Sequence, residues 1–196
     1  MNTVTQDTPH QAHAMVNGVR RNRSSLYKVL TKMKTDNGLM IQNDPLRRTI
    51  LSGQIGLAIT MIEQGCFVNS LHLIDAIRKD YIEIVKLIIA LGVDVNGEDL
   101  QGENSGTYKP SSPLYKAVEE DKVECVRLLL EAGAKVDEAS GTDGWTPLQR
   151  ASMLHNIPIA KMLVECGANP NKKAPEGWTP IQLIRNKRYN KHGLNL

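Results

Sequence analysis

Apolar residues along the chain fall into paired short stripes at helical spacing, each pair divided by a polar break. In SPLYKAVEEDKVECVRLLLEAGAKVD, Ser112 to Asp137, Leu114, Ala117 and Val118 make a first stripe; Cys125, Leu128 and Leu129 make a second. In TPLQRASMLHNIPIAKMLVECGANPN, Thr146 to Asn171, Leu148, Ala151 and Ser152 repeat the first, and Ile159, Met162 and Leu163 the second. Each segment therefore predicts two short helices. The Thr146 hydroxyl can cap the orphan N–H groups of the first, and Pro147 sits at the first helical position, where its missing N–H costs nothing. Gly133 and Gly167 supply the left-handed residue that ends the second. The small Ala of the first stripe lets neighbouring helices approach closely.

The frame recurs. Pro45 to Gly65, Pro113 to Gly133 and Pro147 to Gly167 each span twenty residues, and His72 to Gly92 spans the same interval. Self-similarity of this kind predicts an all-α solenoid of stacked helix-turn-helix units. Units are expected at about 43–69, 70–96, 108–137 and 142–171, with a truncated fifth at 176–184. The second unit lacks the Thr-Pro start and is taken to open at His72. Openings at 45, 72, 113, 147 and 180 are unevenly spaced, and the excess between the second and third leaves an inserted loop over 97–112, which is either a binding loop or an inert insertion. Leu26, Val29, Leu30 and Met33 predict a helix within 14–42 that caps the first unit. Residues 1–13 read as a disordered tail and 185–196 as a basic C-terminal tail.

The openings DPLRRTI, LHLIDAI, SPLYKAV, TPLQRAS and TPIQLI, with closings GCFVN, GVDVN, GAKVD and GANPN, resemble the ankyrin repeat family. The resemblance covers about two-thirds of the chain. The family's helix-opening His is replaced by Arg47, Ile74, Tyr115, Gln149 and Gln182, which puts its usual hydrogen bond between turns in doubt. What the resemblance implies is a concave surface built from turn tips and from the exposed face of each unit's first helix, and a role in protein–protein interaction.

Projected onto that surface, two residues before each opening Pro lies at the turn tip, and positions three, six and seven after it face the groove. The partner-binding candidates are Arg78 and Lys79 in the second unit; Tyr108, Lys116, Glu119 and Glu120 in the third; Trp145, Arg150, Met153 and Leu154 in the fourth; and Trp178 in the fifth. Asn43, Arg48, Leu51, Ser52, Asp75, Lys109 and Lys187 fall on the same face. Trp145, Arg150, Met153, Leu154 and Trp178 have the composition of an interface hot spot. Equally, the two indoles could lie along neighbouring turns as structural cover.

Charge adds a second reading. Residues 1–43 hold six Lys/Arg against two acids, 172–196 six against one, and 44–171 twelve against eighteen, so basic ends flank an acidic array. The clusters at Arg20 to Arg23, at Lys172 with Lys173 and at Arg185 to Lys191 carry an alternative, a nucleic-acid or anionic-surface binder using the termini. The acidic centre disfavours a continuous nucleic-acid track.

Enzymatic chemistry finds little support. The histidines His10, His13, His72, His155 and His192 are scattered, and no phosphate loop, nucleophile elbow or dinucleotide fingerprint is present. Cys125 is expected in the core, with Cys66 and Cys166 partly buried beside the Gly stops. A small enzyme using a groove Cys or His is the third reading. Neither cofactor nor metal is implied. Three unpaired cysteines and the lack of a membrane span or Sec-type signal suggest a reducing, cytoplasmic compartment and a monomer before partner binding. The irregular unit lengths resemble effectors that intracellular bacteria deliver into host cells by a non-Sec route more than they resemble vertebrate regulators.

Overall fold

The computed structural model describes residues 44–97, 111–141 and 144–185, and among these it is all-helical, with no strand beyond one isolated bridge between Ser140 and Trp145. Four helix pairs follow one another: α1 (Pro45–Leu51) with α2 (Ile55–Glu63), α3 (Ser70–Arg78) with α4 (Ile82–Ala90), α5 (Pro113–Glu119) with α6 (Val123–Glu131), and α7 (Pro147–Met153) with α8 (Ile157–Glu165). A lone α9 (Pro180–Arg185) begins a fifth unit. First helices pack on first helices in the order α1, α3, α5, α7, α9, and second helices on second in the order α2, α4, α6, α8. The expected N-terminal helix, both tails, Asn43, Tyr108, Lys109, Lys187 and most of the loop lie outside the described residues.

The helix starts follow from cap chemistry. Asp44, Ser112 and Thr146 each accept a hydrogen bond from the backbone N–H three residues on, with Pro next in the chain. Ser112 thus belongs to the third unit's frame rather than to a free loop, and its own N–H donates to Ser140 Oγ at 3.1 Å. Each break between paired helices closes the same way: the N–H groups of Gln54, Tyr81, Lys122 and Asn156 donate to the carbonyls of Thr49, Ala76, Ala117 and Ala151. The chain reverses there through a left-handed residue, which is Asp80, Asp121 and His155 in units two to four. After the second helices, Gly133 at φ 83° and Gly167 at φ 94° take the left-handed conformation, and Ala134 and Ala168 donate back to Leu129 and Leu163 in the pattern of a Schellman stop.

Unit two departs from the expected frame. Its first helix starts at Ser70, two residues earlier than the His72 opening predicts, because Asn69 provides the cap. Asn69 Oδ1 accepts from the N–H groups of Leu71 and His72, while His72 Nδ1 receives the Asn69 N–H at 3.2 Å. His72 thereby occupies the same cap position as Arg47, Tyr115 and Gln149. In the repeat frame Ile74, two residues before Ala76, still holds the position of the family's His, so His72 shares the cap role and not the frame position. The remainder of the unit keeps the twenty-residue frame, since Leu73, Ala76 and Ile77 bury where Leu114, Ala117 and Val118 do.

One aliphatic core runs through all four pairs, from Leu46 to Ala168. Ala76, Ala117 and Ala151 are fully buried at the crossing points of the first helices, as close packing of short helices requires. Polar staples tie the turns together. The Lys135 N–H donates to Asn96 Oδ1 at 2.8 Å, the Asn169 N–H to the Asp137 carboxylate at 3.1 Å, and Ser70 Oγ to the Asp94 carbonyl at 3.0 Å.

Candidate interaction surface

Counting from the opening Pro, or from His72 in α3, positions three, six and seven fall within a third of a helical turn and share one face of each first helix. Moving from unit one to unit four, this face changes character. In α1 it carries Arg48, Leu51 and Ser52, all exposed. In α3 it carries Asp75, Arg78 and Lys79. Asp75 does not face solvent as expected: its side chain is 1% exposed, with Oδ2 2.6 Å from Arg47 Nε and Oδ1 3.4 Å from Arg78 Nη1. A buried carboxylate demands such partners, and Arg47 on the neighbouring helix supplies the main one.

Beside this pair, fully buried His72 brings Nε2 to 2.8 Å from Asp44 Oδ2. Burial of Asp44 pushes its carboxyl upward, but the His72 hydrogen bond and charge and the N–H groups of Arg47 and Leu46 outweigh this and hold it below its ordinary value. Asp44 is therefore a carboxylate at neutral pH, serving as cap and as hydrogen-bond acceptor between units. Gln149 makes the equivalent link at the other end of the array. Its Oε1 accepts the Thr146 N–H and its Nε2 donates to the Lys172 carbonyl, both at 2.8 Å. The bond between turns that was in doubt is thus made by Gln149 in unit four.

In α5 and α7 the face becomes a ladder of ion pairs. Lys116 Nζ lies 2.6 Å from Glu119 and 3.8 Å from Glu120, and Arg150 Nη2 lies 2.8 Å from Glu119. Lys116, Glu119, Arg150 and Leu154 are half-buried and Glu120 is exposed. Partly exposed pairs of this kind contribute at most about 1 kcal/mol each. They fix the orientation of the side chains rather than the stability of the stack.

The hot-spot group divides. Trp145 is 5% exposed and Met153 7%, and they form a second apolar cluster with Tyr115, Ala174 and Leu183, against which Leu154 packs. Trp145 Nε1 donates to Glu176 at 3.0 Å, and its carbonyl accepts the Ser140 N–H at 2.9 Å. Trp145 and Met153 are therefore cover between the fourth unit and the fifth, because the turn at 174–178 folds over the indole. Trp178 has the same turn geometry, its carbonyl accepting the Ala174 N–H, yet stands 39% exposed. Sequence reading missed the Arg47–Asp75–Arg78 group and the burial of Tyr115. The usable signal was an Asp at a groove position one unit after an Arg at the cap position.

Cys125 is not placed as a nucleophile. Cys125 is fully buried, and burial, reinforced by Asp80 and Glu124 and opposed by Lys122, pushes its thiol up to about 11, so it is not a thiolate at neutral pH. Cys66 is half-buried as expected, whereas Cys166 is exposed rather than partly buried, because the C-cap position turns outward. No group of three His, Cys, Asp or Glu is placed to hold a metal among the described residues. No helix among them is long and apolar enough to cross a membrane.

Comparison with known proteins agrees with this geometry. Ankyrin repeats, in three copies, match residues 73–174, just over half of the chain. The human "Ankyrin repeat and SOCS box protein 11" is 31% identical over 113 residues, 58% of this chain and 32% of that protein. The mouse "2-5A-dependent ribonuclease" is 34% identical over 85 residues, 43% of this chain and 12% of the relative. "Glycerophosphocholine phosphodiesterase gde1" of Schizosaccharomyces pombe is 31% identical over 103 residues, 53% of this chain and 8% of the relative. The chain spans a third or less of these proteins, two of which are named as enzymes. The stacked helix pairs, the Gly stops and the match over 73–174 together place this chain in the ankyrin repeat family.

Proposed function

We propose that the array is a non-catalytic protein-recognition module that binds a partner protein along the face of its first helices. Ankyrin repeats are in general protein-interaction modules, and one observation carries the reading here. Every other face of α1, α3, α5 and α7 is packed into core or turn, whereas this face presents Arg48, Leu51, Arg78, Lys79, Glu120 and Leu154, a chemically varied row on a rigid support. Lys116, Glu119 and Arg150 set charge complementarity across the row, and Trp178 extends it at the turn tip. Trp145 and Met153 hold the surface from beneath. The nucleic-acid reading is weakened at Lys172, whose ammonium donates to the Asp137 carbonyl at 2.7 Å inside the array.

The finer reading, an effector acting on a host protein in the cytoplasm, is supported by the irregular spacing of the openings. Differential capture tests the module itself. A groove variant, Lys79→Glu with Glu120→Lys, and a second-helix variant, Lys86→Glu with Lys161→Glu, change exposed residues only. At unchanged melting behaviour, the groove variant is expected to lose a discrete set of proteins from cell lysate that wild type and the second-helix variant retain. Equal capture by all three proteins would refute the reading.

A further inference from the structure

The two halves of the groove differ in what their charges are already doing. In α5 and α7 the cations Lys116 and Arg150 are engaged by Glu119, and the apolar side chains Tyr115, Trp145 and Met153 are buried in the second cluster. In α1 and α3 the situation is reversed. Arg48 and Lys79 are exposed and enter no ion pair among the described residues, Arg78 borders them, and the one acid on that face, Asp75, is buried under Arg47 and Arg78. Leu51, at 40% exposure, lies one turn along α1 from Arg48, and Arg78 holds the equivalent repeat position on the neighbouring α3.

From this we infer that units one and two bind an acidic protein segment that carries an apolar side chain, the apolar group seated on Leu51 and its flanking carboxylates on Arg48 and Lys79. The inference rests on the recognition reading above and names the chemistry of the partner. Charge complementarity commits the site to that occupant. An exposed leucine sharing its face with unpaired cations favours an apolar group flanked by carboxylates and disfavours a basic or purely apolar segment. Arg78, held by Asp75 at a fixed height, narrows the approach without surrendering its own pair. The C-terminal half contributes no comparable site, because its cations Lys116 and Arg150 are already matched by Glu119 and Glu120.

The test uses the full chain and a fluorescein-labelled peptide with the sequence Asp-Glu-Leu-Glu-Asp between Gly-Ser flanks, followed by fluorescence anisotropy. Binding is expected, with affinity falling as salt is added. Arg48→Glu with Lys79→Glu should weaken it by about tenfold or more, and Leu51→Ser by several-fold, as should replacing the peptide's Leu with Ser. The neutral pair Arg48→Gln with Lys79→Gln keeps the test valid if charge reversal perturbs folding, and should fall between wild type and the reversed variant. No peptide binding, or binding indifferent to both charge variants, would overturn the inference. So would an oligothymidylate of equal charge that binds more tightly and is lost with the same substitutions, which would mark a polyanion site. Failure here with the groove-dependent lysate capture intact removes only the acidic-segment inference, whereas loss of that capture removes the recognition reading.

Discussion

Trp145→Ala is expected to destabilise the array by about 3 kcal/mol or more, whereas Trp178→Ala should cost no more than about 0.5 kcal/mol. The two residues share a repeat position, so the contrast isolates environment from chemistry. Trp145 loses its contacts with Tyr115, Met153, Ala174 and Leu183 and leaves Glu176 without its indole donor. Trp178 already meets solvent. In a quasi-one-dimensional stack the damage should concentrate in the last units, since each unit contacts only its neighbours. Urea unfolding followed by far-ultraviolet circular dichroism checks the difference, and hydrogen exchange checks its location. Equal, small effects would return Trp145 to the surface and undo the division of the groove. It follows that a variant lacking both indoles is a poor binding probe, because lost capture would report unfolding of units four and five.

Asp75→Ala should be the costliest single change at the junction of units one and two, at about 3 kcal/mol, because it leaves Arg47 beside α3 without its carboxylate. The attraction itself is not the source of that cost. Replacing both partners, Asp75→Leu with Arg47→Met, is expected to recover most of the loss, since apolar groups of similar volume need no compensating charge. Unfolding midpoints of wild type, Asp75→Leu, Arg47→Met and the double variant give the coupling directly. If the double variant is as unstable as Asp75→Ala, the network stabilises by something other than mutual satisfaction of buried charge. Asp44 and His72 lie beside the same junction, where the His72 hydrogen bond helps keep the Asp44 carboxyl ionised.

Both predictions fall where reading along the chain was weakest. The scaffold was legible because its determinants are local. Pro after Ser112 or Thr146, small residues at Ala117 and Ala151, and Gly133 and Gly167 each act within one or two turns of themselves. Gln149 was legible as the residue at the helix-opening position but not as a link, since the Lys172 carbonyl lies 23 residues downstream. Trp145 could not be placed for the same reason: only the fold of the turn around Glu176 decides whether an indole there is covered. Asp75 sits at a groove position by phase and is buried because Arg47, 28 residues earlier, reaches it. At Asn69 the error was one of frame. A strong cap three residues ahead of His72 lengthened the helix by two residues while the core residues Leu73, Ala76 and Ile77 kept their phase.

That the first-helix face recognises protein is tested most directly by lysine footprinting of the captured complex. Lys79 ends a first helix, while Lys86 and Lys161 stand exposed on second helices, so one acetylation experiment reads both surfaces at once. The account predicts that Lys79 becomes several-fold less reactive when the partner is bound, with Lys86 and Lys161 unchanged. Protection of Lys86 and Lys161 with Lys79 still reactive would contradict it.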